Sequence, residues 1–454
     1  MPELHELSAA EAARLIRGRE LSPVDLVESL LHRIDALEPR LKAWVYLDGD
    51  AALADAAQKA AQLDGGAVGP LHGVPLGLKD IYYTAGIPTT ACSKVYAGFV
   101  PDYDATTVAL LKRAGAIVLG KTVTTEFACL DPSPTVNPWN PAHTPGGSSS
   151  GSAVAVAARM CPAALGSQTV GSVLRPASYN GVVGFKPTYG RVSCHGVIPV
   201  SWNLDTIGWM ARTVEDAALL LQVMAGPDPQ DPGTSRQPVP DYLATLQSPE
   251  LPRVGFLRRF FYEQADAETR RNVDDVLERL SRAGARVEEV TLPDSIDSAF
   301  EDQRVIMAVE AASFHQATFE RQPEDYQPLL REMLRRGLGT GAVSYSRALE
   351  RRRRFTAEME QVAEKTDILL TPSTPTPALP DLTNTGNTIF QGPWTSCGLP
   401  AITIPSGLAA SGLPLGIQLV AAPFREARLL AAARWCEAAL DVHLFPPVDA
   451  PVDA

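Results

Sequence analysis

Apolar positions recur at helical spacing from residue 8 to residue 36, broken at "LSPVD", where Ser22 is placed to cap and Pro23 to take the first helical position. A second, alanine-rich helix is predicted at about residues 50–64, and "GVPLGLKDI" (73–81) reads as a short apolar strand. "TTVALLKRAGAIVLGKT" (106–122) has the pattern of a helix, a glycine turn and a buried strand, and "SAVAVAARMCPAALGSQT" (152–169) repeats it with a proline break. The helix "VEDAALLLQVMAG" ends at Gly226 and is followed by the proline-rich "PDPQDPGTSRQPVP". "RVGFLRR", "AETRRNVDDVLERLSRAGA" and "RVEEVTLP" then form a strand–helix–strand unit. Residues 297–366 are helical, "DILLTPSTPTP" returns to a strand, and "PAITIPSG" with "PLGIQLVA" makes a strand pair closed by the helix "EARLLAAARWCEAAL".

Strands alternating with helices predict an α/β fold: one large α/β/α domain, residues 1–454, with a central mixed, twisted sheet covered by helices. Within it the pattern divides into N-terminal helices (1–66), a core (67–227), a peripheral βαβ and helical lobe (228–366) and a C-terminal return to the sheet (367–454).

Composition narrows the class. Hydrophobic residues make up 45% and charged residues 20%, the balance of a soluble globular protein. No run reaches the roughly 18 to 20 apolar residues that span a bilayer. The start "MPELHELSAAEAARLIRGRE" lacks the features of a signal peptide, so a cytoplasmic location is expected. A net charge of −12 argues against nucleic acid or anionic membrane as a partner. Six cysteines lie far apart with no metal-ligand spacing, so reduced thiols, no metal and no cofactor are expected. Cys194 and His195 are sequence neighbours whose side chains are expected to point apart, not a nucleophile and its base. The run "RRRR" (351–354), with Glu350, Glu358 and Glu360 nearby, reads as a solvated helix face.

"PGGSSSGSA" (145–153) is the densest candidate for chemistry. Its glycine spacing fits a phosphate loop, but Ser152 and Ala153 stand where that loop needs its Lys and Ser or Thr. The letters around Ser149 also fit a nucleophile elbow, yet "NPWNPAHTP" precedes them instead of a buried strand. A flexible linker is a poor fit too, because a helix of small apolar residues follows. A Gly/Ser loop feeding a helix start presents free backbone N–H groups. A second small-residue loop, "GSQTVGSVLRP" (166–176), carries Ser172, 24 residues beyond Ser148. If both loops leave the same sheet edge, the two serines face each other. Serine hydrolysis needs a base, and no histidine lies in either loop. Lys79, among apolar neighbours in "GVPLGLKDIYY", is the remaining candidate, since burial disfavours the ammonium form.

"GVPLGLKD", "NPWNPAHTPGGSSSGSA", "GSVLRPASYNGVVGFKPTYGRVS", "NLDTIGWMARTVEDAALLL" and "CGLPAITIPSG…LPLGIQLV" together resemble the amidase signature family, in order, over about residues 20–440, weakening across the helical lobe. The resemblance implies the amidase signature fold and hydrolysis of amide C–N bonds by a Ser–Ser–Lys triad, matched here by Lys79, Ser148 and Ser172. It also implies an acyl-enzyme on Ser172, a cis peptide bond at Gly147–Ser148, and an oxyanion hole from the backbone N–H groups of Thr169, Val170, Gly171 and Ser172. Ser149 and Ser167 are expected as supporting hydroxyls.

Many members carry "SDTGGSIR" around the nucleophile, whereas this chain has Gln168, Val170 and then "SVLRP". That variant resembles the malonamidase and allophanate hydrolase branch, in which an arginine at the position of Arg175 meets a substrate carboxylate; a structural role for Arg175 stays equally open. Tyr82, Tyr83, Ile389, Phe390 and Trp394 fall in segments where the family places substrate contacts. If they face the cleft, aryl or alkyl amides, esters and carbamates (urethanes) are expected over a malonamate- or allophanate-like substrate. The alternatives are the glutaminase subunit of a tRNA-dependent amidotransferase and a non-catalytic binding protein on this scaffold. The expected partner is a small-molecule substrate, and oligomeric state is open, with a homodimer as one option.

Overall fold

Hydrogen bonding joins eleven strands among the described residues into one mixed sheet. The computed structural model describes residues 3–66, 68–247 and 250–448; Ala67 and the extreme ends of the first and last segments drawn above lie outside the described residues. The strands are β1 (Trp44–Leu47), β2 (Pro75–Lys79), β3 (Ile117–Thr122), β4 (Ala163–Gln168), β5 (Val183–Lys186), β6 (Thr206–Ala211), β7 (Arg253–Phe256), β8 (Arg286–Glu289), β9 (Ile368–Pro372), β10 (Ala401–Leu408) and β11 (Pro414–Val420). Their order is β1-β3-β2-β4-β6-β5-β10-β11-β9-β7-β8. β2 runs parallel to β3 and β4, β6 runs antiparallel to β4 and β5, and β7 runs parallel to β8 and β9.

The helices are α1 (Ala9–Arg17), α2 (Pro23–Leu41), α3 (Gly49–Gln62), α4 (Thr106–Arg113), α5 (Ser150–Ala157), α6 (Leu174–Asn180), α7 (Val214–Met224), α8 (Tyr242–Thr245), α9 (Ala267–Arg282), α10 (Ile296–Arg321), α11 (Pro328–Gly339), α12 (Ala342–Ala363), α13 (Gly392–Ser396) and α14 (Glu426–Leu440). Ser22 Oγ accepts from Val24 N with Pro23 in first place, so the break read at "LSPVD" is the start of α2.

Successive side chains on a strand point to opposite faces, and both faces of this sheet are covered. Ala163 and Leu165 of β4 with Ile207 and Trp209 of β6 join the apolar cluster that holds α7 and α14, while Ala164 and Met210 join the one that holds α2 and α5. Helix α5 is buried along its whole length, which its small residues permit. A side chain at Gly151 would bring Cβ within 2.3 Å of Ala43 O and 2.5 Å of Val123 N. The start of α5 is thereby held against the chain entering β1 and leaving β3.

The helical lobe docks on this core through buried carboxylates. Glu126 accepts from Gln327 N (2.7 Å), and Asp131 accepts from Leu329 N (2.9 Å) and Leu330 N (2.8 Å), so two core side chains bind the start of α11. Glu310 of α10 accepts from Ser201 Oγ (2.5 Å) and Asn203 N (3.1 Å). The basic run departs in part from a solvated face: Arg353 and Arg354 pair with Glu350 and Glu358, but Arg352 turns inward to donate to Ser396 O (2.7 Å) and Asn203 O (2.8 Å). Among the described residues no helix is long and apolar enough to cross a membrane.

Helices α10 and α11 touch closely at Gly337, where a Cβ would stand 2.0 Å from Ala308 O. Backbone cannot yield as a side chain end can, so Gly337→Val should destabilise the protein by about 2–3 kcal/mol. Urea unfolding measures this, and an unchanged midpoint would contradict the close approach.

Candidate active site

Because β2 and β4 are parallel neighbours, their C-terminal ends open on the same edge of the sheet. Lys79 is the last residue of β2, and the loop after β4 carries Ser172. Ser149 N donates to Ser172 O (3.3 Å), so the loop before α5 adjoins the loop after β4. Lys79 Nζ lies 2.7 Å from Ser148 Oγ and 3.0 Å from Ser167 Oγ, and the Gly147–Ser148 peptide bond is cis. Ser149 Oγ spans the amide and carbonyl of Ser167 at 3.4 Å each.

Two lysines are buried side by side here, and they differ in their partners. Lys121 of β3 lies 3.7 Å from the Asp80 carboxylate and donates to Tyr82 O (2.5 Å) and Thr89 Oγ1 (2.7 Å). Asp80 is further held by Thr90 N and Thr90 Oγ1. The carboxylate next to Lys79 in sequence is therefore committed to the other lysine, and the hydrogen bonds of Lys79 go to hydroxyls. Burial brings Lys79 down to about 7, against a smaller opposing pull from the charge of Asp205. An amine at that value changes protonation near neutral pH.

The loop that carries Ser172 is shaped by side chains that leave its amides free. Among the described residues no backbone hydrogen bond is donated by Val170, Gly171 or Ser172. Gln168 Oε1 accepts from Val173 N (2.9 Å) and Leu174 N (3.0 Å), and turns the chain into α6. Thr169 Oγ1 donates to Asp205 Oδ1 (2.5 Å), Gln303 Nε2 donates to Thr169 O (2.9 Å), and Thr395 Oγ1 donates to Val170 O (2.8 Å). With its carbonyls turned to these donors, the loop presents three unpartnered N–H groups beside a half-buried serine.

The residues expected as substrate contacts differ in where their side chains go. Tyr82 is fully buried with its hydroxyl on Gly166 O (2.6 Å), and it braces β4 from within. Phe390 and Trp394 are also fully buried and pack on Phe261, Trp394 stacked at 5.1 Å, because a large ring gains more from filling the core under α13 than from facing water. Tyr83 is half-buried against Phe99 and Tyr103, and Ile389 is half-buried against the Phe390 cluster. Arg175 is buried: Nη1 donates to Gly386 O (2.9 Å), and Nη2 to Gly147 O (2.6 Å) and Thr385 Oγ1 (2.9 Å). It ties the loop before α5 to the segment before α13, and burial lowers its guanidinium to about 10. Cys194 Sγ donates to Asp205 O (3.6 Å) while the His195 ring stacks on Tyr103 at 5.5 Å, so these neighbours do point apart.

A cavity of about 270 Å³ adjoins the site, with Ser167 and Asp205 in its wall and Val192, Ile198, Val200 and Trp202 as apolar lining. Asp205, Gln303 and Thr395 were not anticipated as site residues. Asp205 alone left a signal, a carboxylate leading into the apolar run of "NLDTIGWMA". No group of histidine, cysteine and carboxylate side chains arranged to hold a metal occurs among the described residues.

The amidase family model matches residues 25–430, and the chain belongs to that family. It is 39% identical to a putative amidase of Mycobacterium tuberculosis over 98% of this chain and 97% of that one. It is 37% identical to a glutamyl-tRNA(Gln) amidotransferase subunit from Geotalea daltonii, covering 97% of this chain and 99% of the relative. The peptide amidase of Stenotrophomonas maltophilia superimposes with a TM-score of 0.87 at 32% identity, over 98% of this chain and 99% of that one. The fold and the family together make this an amidase-family enzyme that hydrolyses amide C–N bonds.

Arg175→Met would leave the carbonyls of Gly147 and Gly386 without their buried donor. The expected loss is about 2–4 kcal/mol of stability in denaturant unfolding, and a parent-like midpoint would reject the tying role.

Proposed function

We propose that the protein hydrolyses small uncharged aryl or alkyl amides, with esters and carbamates as further substrates, through an acyl-enzyme on Ser172. The observation that carries this reading is the buried Lys79 amine, brought to about 7 and 2.7 Å from Ser148 Oγ. In its neutral form the amine accepts the Ser148 proton as Ser148 accepts that of Ser172. The Ser172 oxygen then bonds to the substrate carbonyl carbon, and the carbonyl π electrons move onto oxygen, facing the free amides of the 169–172 loop. As the tetrahedral intermediate collapses, the C–N bond breaks. The leaving amine takes a proton from Ser148, which recovers one from Lys79. Water repeats the sequence on the acyl-enzyme and releases the acid.

The choice of an uncharged substrate rests on Arg175 and the adjoining cavity. The Arg175 hydrogen bonds go to main-chain carbonyls and a threonine, which argues against its use as a carboxylate clamp for a malonamate-like amide. The apolar cavity wall favours alkyl or aryl groups. A second reading, glutaminase within a tRNA-dependent amidotransferase, is favoured by the relative from Geotalea daltonii. It predicts that glutamine is the preferred amide and that turnover depends on partner subunits.

Lys79→Ala, Ser148→Ala and Ser172→Ala should each lower kcat at least about a thousandfold while the protein stays folded. A folded Ser172→Ala protein with parental activity would sink the mechanism. A panel of p-nitroacetanilide, an aryl carbamate, malonamate and glutamine separates the substrate readings, and preference for either of the last two overturns the uncharged one. The base must be neutral to act, so kcat/KM should rise with pH through about 7, where Lys79 loses its proton. A flat profile from about pH 5.5 to about pH 8.5 would contradict Lys79 as the base.

A further inference from the structure

Asp205, in the wall of the cavity, is an anion that the mechanism above does not use. Its hydrogen bonds are divided between two tasks. Oδ1 accepts from Thr169 Oγ1 (2.5 Å), while Oδ2 accepts from Val200 N (2.8 Å) and Ser201 N (3.0 Å). One oxygen is thus fixed to the segment leading into β6, and the other holds the first residue of the nucleophile loop.

We propose that Asp205 is a positioning residue of the site: it fixes the oxyanion loop through Thr169 to the backbone that leads into β6. This inference rests on the triad reading given above. The loop needs such an anchor because its amides are unpartnered, and an oxyanion hole misplaced by about 1 Å can lose roughly a hundredfold in rate. Burial raises the Asp205 carboxyl to about 6, with Thr169 and the amides of Ser201 and Val200 opposing.

In Thr169→Val the clamp is lost while Asp205 keeps its hold on the 200–201 backbone. Turnover should fall roughly ten- to a hundredfold with KM nearly unchanged, and Thr169→Ser should restore it. Circular dichroism and thermal melting confirm that the variants are folded. Parental turnover in folded Thr169→Val, or no recovery in folded Thr169→Ser, overturns the proposal. Parental Ser172→Ala activity would instead overturn the triad reading, so the two failures are distinguishable.

Discussion

The amine of Lys79, enclosed at the end of β2 and hydrogen-bonded to Ser148 and Ser167, sets the conditions that the surrounding structure satisfies. A buried ammonium is costly unless it is paired, and pairing it with a carboxylate would hold its proton. The fold takes a middle course. Asp80, one residue away, is turned to Lys121 and pinned by Thr90, so the only neighbours left within hydrogen-bonding distance of Lys79 among the described residues are hydroxyls. Hydroxyls can accept from the ammonium or donate to the amine, which makes both protonation states tolerable. The small residues of α5 then matter for a mechanical reason. They let the helix sink against β3, and this brings the chain at Ser148 within reach of the lysine.

The alternation of helix and strand was legible because most elements lie in long periodic runs. Strands β5 and β6 were not assigned from pattern, and the reason is physical. Both are buried on both faces, so "VGFK" and "TIGWMA" show no alternation, and glycines interrupt each. For the site, residue types took the reading as far as two serine loops and a lysine with no histidine in either loop; their assignment as a triad came from the family resemblance. The orientation of the aromatic side chains was not legible for a different reason. A tyrosine or tryptophan letter does not say which side of its backbone is core, and Tyr82, Phe390 and Trp394 all turned inward. Asp205, Gln303 and Thr395 stand 36, 134 and 225 residues from the loop atoms that they bond. Such separations have no local sequence signature.

Those long-range bonds tie the helical lobe to the 169–172 loop. Gln303 lies on α10, and the same helix carries Glu310, whose carboxylate grips Ser201 and Asn203 on the segment that also holds Asp205. Core carboxylates return the grip by capping α11. The 169–172 loop is therefore braced from the sheet through Gln168, from the β5–β6 connection through Asp205, from the lobe through Gln303 and from α13 through Thr395. Each brace leaves the Val170, Gly171 and Ser172 amides unclaimed. A loop satisfied through its own backbone would have spent those donors. Holding it from outside lets a short segment be rigid and yet keep its N–H groups free, and it makes the geometry of the site a property of the assembled domain.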